Sequence, residues 1–117
     1  MPTVRREIDL PVPPERAWEL ITDPAELEEW LADEVELEPE EGADVHVRFD
    51  DGEERWGTVE EVDPDRRLVF RWGDSRVEWT LEPLEAGTRL VVVERSLSPV
   101  VGPRMAALAA HASLCPV

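Results

Sequence analysis

From Glu34 to Arg95 the chain alternates apolar and polar residues with a period of two, and short turns separate the successive runs. That period puts every second side chain on one face of a strand, so this stretch is constrained to a β-sheet with one apolar face. Val35 and Leu37 alternate with acids, and Val45, Val47 and Phe49 alternate with His46, Arg48 and Asp50. Asp51-Gly52 is a hairpin signal leading to a strand from about Glu54 to Val62. Asp63-Pro64-Asp65 turns the chain into Arg67–Trp72, with Leu68, Phe70 and Trp72 on one face. Gly73-Asp74 leads to Arg76–Glu82, with Val77, Trp79 and Leu81 alternating, and Glu85-Ala86-Gly87 leads to Thr88–Arg95. Six strands joined this way form an antiparallel meander.

Upstream, Thr3–Leu10 reads as an opening strand that can add a seventh, and Pro11-Val12-Pro13-Pro14 ends it. Pro14 suits the first turn of a helix, where its missing N–H costs nothing, and Ala17, Trp18, Leu20 and Ile21 give that helix an apolar face. Asp23-Pro24 breaks it and caps a second, from Pro24 to about Leu31. Downstream of the meander, a final helix is expected from about Pro103 to Ser113. An apolar sheet face needs a cover, and this last helix is the only long element available for it.

With 117 residues, a single domain over residues 1–117 is expected, large enough for one core. No stretch approaches the roughly 20 apolar residues of a membrane span, and Met1-Pro2-Thr3-Val4-Arg5 lacks the apolar segment of a signal peptide. The 12 basic residues, all arginine, face 28 acidic ones, and a net charge of −16 excludes the basic footprint that nucleic acid requires. The lone Cys115 forms no internal disulfide, so a cytoplasmic location is expected. Five of the seven aromatic residues are Trp, at 18, 30, 56, 72 and 79; such rings line cavities well and also fill cores.

The run from Pro13 through Pro24 (Pro-Pro-Glu-Arg-Ala-Trp-Glu-Leu-Ile-Thr-Asp-Pro), followed by Leu27-Glu28-Glu29-Trp30-Leu31, resembles the N-terminal part of START-like (SRPBCC, Bet v 1-type helix-grip) proteins. Asp51-Gly52, the run Gly57 to Trp72 and Gly87-Thr88-Arg89-Leu90 are similar to the branch named for the C-terminal domain of the Hsp90 ATPase activator, called AHSA1-like. The resemblance runs from about Val4 to Arg95 and implies an α+β helix-grip fold: a curved, seven-stranded antiparallel sheet gripping a C-terminal helix, with a hydrophobic cavity between them. Members of that superfamily bind lipids, sterols or polyketides, some act on them as enzymes, and the eponymous branch contacts a chaperone. The last helix departs from the pattern. Some 11 to 13 residues span roughly 16–20 Å, against roughly 29 Å for seven strands. A cavity open on one side, or covered by a second subunit, is therefore expected.

Strand parity, supported by the resemblance, nominates Val47, Phe49, Val59, Phe70, Trp72, Trp79, Leu90 and Val92 as cavity liners. Met105 and Leu108 would face them from the helix, with Trp30 near the entrance. Glu94 shares parity with Leu90 and Val92; turned inward it is a candidate acid or base, although a strand end in water is the expected place for it. His111 on the last helix is the other weak catalytic candidate, His46 is expected to face solvent, and of Arg55 and Arg71 only the latter falls on the outward parity. Two distant histidines and one terminal cysteine match no metal-ligand spacing, and the sequence holds no phosphate-cradling loop, so neither a metal nor a cofactor is expected. Nine acids lie within Glu26–Glu41, read as a solvated face, with docking onto a basic protein as the alternative. The expected function is binding of a small hydrophobic molecule, with no catalysis as the default. A chaperone-type protein-interaction module and a cyclase- or hydrolase-like enzyme are the alternatives, and a protein partner or homodimer stays open.

Overall fold

The computed structural model describes residues 2–97 and 101–114. The elements are β1 (Thr3–Leu10), α1 (Pro14–Thr22), α2 (Pro24–Trp30), β2 (Glu34–Leu37), β3 (Asp44–Arg48), β4 (Glu54–Asp63), β5 (Arg67–Trp72), β6 (Ser75–Leu84), β7 (Gly87–Arg95) and α3 (Val101–Leu114). All seven strands form one antiparallel sheet in the order β1-β7-β6-β5-β4-β3-β2. Strands β2 to β7 are the expected meander. The α1–α2 segment carries the chain from β1, beside β7, to β2 on the opposite edge.

Local chemistry places the helix boundaries. Pro14 opens α1 at a position needing no N–H donor. Asp23 both closes α1 and caps α2, its Oδ1 accepting from the Ala25 N–H at 2.9 Å. Helix α3 starts two residues before the expected Pro103, because proline is tolerated in a first turn whose N–H groups lack intrahelical partners. Its 14 residues span about 21 Å, still short of the sheet's width. Its nearest strand neighbours are β1 and β7, and it packs against α1 and α2.

The sheet curves because β4 carries a bulge between Val59 and Glu61. Gly57, opposite Trp72, is required there: a Cβ would sit 1.6 Å from the Arg71 carbonyl oxygen. The concave face holds Leu68, Phe70, Trp72, Val77, Trp79, Leu90 and Val92, all buried against α1, α2 and α3. On the convex face Arg67, Arg71 and Arg76 form an ion-pair ladder with Glu60, Glu61 and Glu78. Val69 is buried beside it, although alternation places it outward; its cross-strand partner is Glu78, and long charged side chains cover apolar surface with their stems.

Candidate ligand-binding site

Four large rings on the concave face interlock. Phe70 meets Trp72 and Trp79 edge-on at centroid distances of 5.0 and 5.1 Å, and Phe49 meets Trp72 at 5.8 Å. Trp30 joins from α2, 6.0 Å from Trp79. Val47, Val59, Leu90 and Val92 continue the same apolar cluster, and Met105, Leu108 and Ala112 close it from α3. The structure thus brings every nominated liner into one buried cluster.

Three of these rings carry an indole N–H. That of Trp30 donates to the Leu20 carbonyl at 2.9 Å. Those of Trp72 and Trp79 are buried and have no acceptor among the described residues. Leaving a buried donor unmatched costs about 1–3 kcal/mol, so two such groups on one apolar face are a large local debt against folding.

Polar groups gather at the end of this face where β7 finishes. Glu94 is 0% exposed, and its Oε2 accepts from the Val101 N–H at 3.1 Å, tying the start of α3 to β7. The expectation that Glu94 lies in water is thus corrected: the N-terminal end of α3, where N–H groups lack intrahelical partners, lies over the carboxylate. Beside it the Ser75 and Ser96 hydroxyls are 2.7 Å apart. Arg55 reaches inward on the parity of Gly57 and Val59, its guanidinium 5.7 Å from the Phe49 centroid and 5.6 Å from that of Trp72. Its Nε donates to Glu53 at 2.8 Å. Arg104 on α3 lies 5.0 Å from the same Phe49 ring, and Arg71 is exposed on the convex side.

Two open hollows flank this cluster. The larger, about 470 Å³, lies between the start of β4, the β5–β6 turn and the end of β7, with Trp72, Ser75, Ser96 and Arg55 in its wall. The smaller, about 190 Å³, lies between the end of α2 and α3, with Trp30 and Arg104 in its wall.

The two histidines lie apart. His46 is half-buried rather than fully solvent-facing, stacked on Trp56 at 4.9 Å, with Nε2 3.0 Å from Glu54. His111 pairs with Glu26 at 2.5 Å, and Arg16 bonds the same carboxylate at 3.1 Å, so one carboxylate joins α1, α2 and α3. Burial pushes the Glu26 carboxyl up, but hydrogen bonds from His111 and Arg16, with their charges, outweigh it and hold the group below its ordinary value. Among the described residues no three His, Cys, Asp or Glu side chains cluster as a metal site, and Cys115 lies outside them. No helix there is long and apolar enough to cross a membrane.

Sequence reasoning missed Ser75, Ser96, Arg104 and the Glu26 junction. Ser75 shares the inward parity of Val77 and Trp79, a polar residue at the end of an apolar row, and that signal could have found it. The Arg16–Glu26–His111 contact depends on three helices meeting and has no local signal.

A curved antiparallel sheet gripping a C-terminal helix, with apolar side chains between, defines a helix-grip α+β protein. The family model for Activator of Hsp90 ATPase homolog 1-like protein matches residues 11–112, and the chain belongs to that family. Protein MLL2253 from Mesorhizobium loti is similar at 25% identity with a TM-score of 0.84, covering 99% of this chain and 100% of that one. DynU16, a protein of the dynemicin biosynthetic locus, is similar at 29% identity and TM-score 0.81, over 95% of this chain but 47% of its own length. The AHSA1-like protein from Aeromonas hydrophila shares the fold at 15% identity and TM-score 0.81, over 97% and 93% of the two chains. No curated protein matches this chain.

Proposed function

We propose that this protein binds a small apolar molecule bearing an acceptor oxygen, held between the concave sheet face and α3. The observation that carries this reading is the pair of buried indole N–H groups of Trp72 and Trp79 that have no acceptor among the described residues. A carbonyl or hydroxyl oxygen inserted between the rings and α3 satisfies one of them, while the ligand's apolar body replaces the contacts it displaces. The larger hollow, with Trp72 in its wall, falls within the volume range of small-molecule sites. Binding without catalysis is favoured because Glu94, the best-placed carboxyl, already accepts from the first turn of α3. The test is a tryptophan-fluorescence titration with sterols, flavonoids, long-chain alcohols and fatty acids. A saturable change with at least one class, lost in Trp72→Phe, is the expected result; no response from any class overturns the reading.

A further inference from the structure

We infer that this chain forms a two-fold homodimer in which the β1 edges of two copies pair antiparallel and their α3 helices lie side by side. Strand β1 ends the sheet, and no strand borders its outer edge among the described residues. The Pro2 carbonyl accepts from the Ser96 N–H at 3.0 Å, continuing the β1–β7 register. In an antiparallel ladder the main-chain groups point to alternate sides, residue by residue. The N–H and C=O groups of Val4, Arg6, Ile8 and Leu10 therefore face β7, and those of Thr3, Arg5, Glu7 and Asp9 face outward. Such an edge is a template for another strand.

A second copy fits it. Antiparallel pairing centred on Arg6 sets Thr3 opposite Asp9 of the second copy and Arg5 opposite Glu7 of the second copy, with both main-chain bonds made in each pair. On the convex face this places opposite charges across the axis. Arg5 and Glu7 already meet along the strand at 3.2 Å and both stay about half exposed, so the two copies together form a ring of alternating charges. On the concave face the half-buried Val4 meets Ile8 of the second copy, half-buried as well. Arg6 meets its own copy at the axis, and its exposed side chain is long enough to turn into solvent. Net charge selects the same edge. Strand β1 and helix α3 together hold only two of the 28 acidic residues, Glu7 and Asp9, against Arg5, Arg6 and Arg104. At the opposite edge β2 is four residues long, carries Glu34 and Glu36 and precedes Glu38, Glu40 and Glu41, so two such edges repel.

The helix beside this edge leaves room for the second copy. Helix α3 turns Val101, Met105, Leu108 and Ala112 into the core, and on one flank Arg104 and His111 reach Asp50 and Glu26. At about 100° per residue the opposite flank carries Ala106, Ala109 and Ser113, directed past β1 and away from α2. Side chains this short let two α3 helices approach to about 8 Å. Small residues alone are ordinary surface; the strand edge beside them specifies what lies against them.

The experiment is sedimentation velocity of the full, ligand-free chain from micromolar to near-millimolar concentration at about 0.15 M salt. A concentration-dependent shift to twice the 13.3 kDa monomer, and no further, is expected. Arg5→Glu and Glu7→Arg each set like charges across the axis and should weaken the dimer about tenfold, while the two together restore it. Glu7→Arg lowers the net negative charge, so general repulsion between copies predicts the opposite for that variant. Glu7→Pro removes an outward N–H, leaves the β1–β7 ladder intact and should abolish the dimer. A monomer at every concentration overturns the inference. So does a dimer that neither single reversal weakens, or growth beyond the dimer, the result of head-to-tail pairing of β1 with β2.

Discussion

Replacing Trp79 and Trp30 by phenylalanine, one at a time, isolates the unmatched indole donors. Either change removes about three buried heavy atoms from the same cluster, a loss of about 2 kcal/mol in burial and packing. At Trp79 the change also removes a buried N–H with no acceptor among the described residues, which returns about 1–3 kcal/mol. The two effects nearly cancel, and Trp79→Phe is expected within about 1 kcal/mol of the parent. At Trp30 the change breaks the bond to the Leu20 carbonyl and leaves that acceptor buried, adding about 1–3 kcal/mol to the packing loss. The two variants should therefore differ by about 4 kcal/mol, roughly 15 °C in melting temperature for a chain of this size. Urea unfolding of ligand-free protein, with unchanged m-values, reads the difference. Equal losses for the two variants would mean that the Trp79 N–H has an acceptor in solution, and the reasoning from an unmatched donor would fail.

Further outcomes follow from the same contacts. Glu26 is held below its ordinary value of 4.5, so its stabilising contribution is complete above that pH and is lost as pH falls through the lower folded-state value. Unfolding curves across this range should show Glu26→Gln with a shallower acid loss than the parent; identical slopes would contradict the three-helix junction. Gly57→Ala forces a Cβ into the Arg71 carbonyl oxygen and should cost about 3 kcal/mol or more, read by thermal melting, with a loss under 1 kcal/mol refuting the close approach. Glu94→Leu leaves the Val101 N–H without its acceptor and should lower amide-exchange protection in the first turn of α3, while Glu94→Gln, which keeps an acceptor oxygen, should lower it much less. Equal protection in both variants would remove Glu94 as the anchor.

Much of this structure is legible in the chain because its information is local. Period-two alternation and the Asp-Gly, Gly-Asp and Pro turns define β2 to β7 within a residue or two, and Asp23-Pro24 separates the two short helices. The inward parity of Phe70, Trp72, Trp79, Leu90 and Val92 follows from the same alternation. What escapes depends on distant encounters. Glu94 reads as a solvated strand end until α3 is laid across it, and the Arg16–Glu26–His111 contact needs three helices in place. Val69 alternates outward yet is buried beside the convex ion-pair ladder, a consequence of side-chain reach that parity does not encode. That Trp72 and Trp79 find no acceptor among the described residues is likewise invisible in sequence, since an indole declares only that it can donate.

The most direct test of binding across the concave face is a two-dimensional ¹⁵N–¹H spectrum of the five indole groups, titrated with flavone, a neutral apolar ring system carrying one carbonyl. Binding there predicts that the Nε1–H resonance of Trp72 or Trp79 moves toward the shift of a hydrogen-bonded donor, while Trp30 keeps its bond to Leu20. Trp18, on α1 and in the wall of neither hollow, should stay where it is. Movement of Trp18 alone, with Trp72 and Trp79 unchanged at saturation, would contradict it.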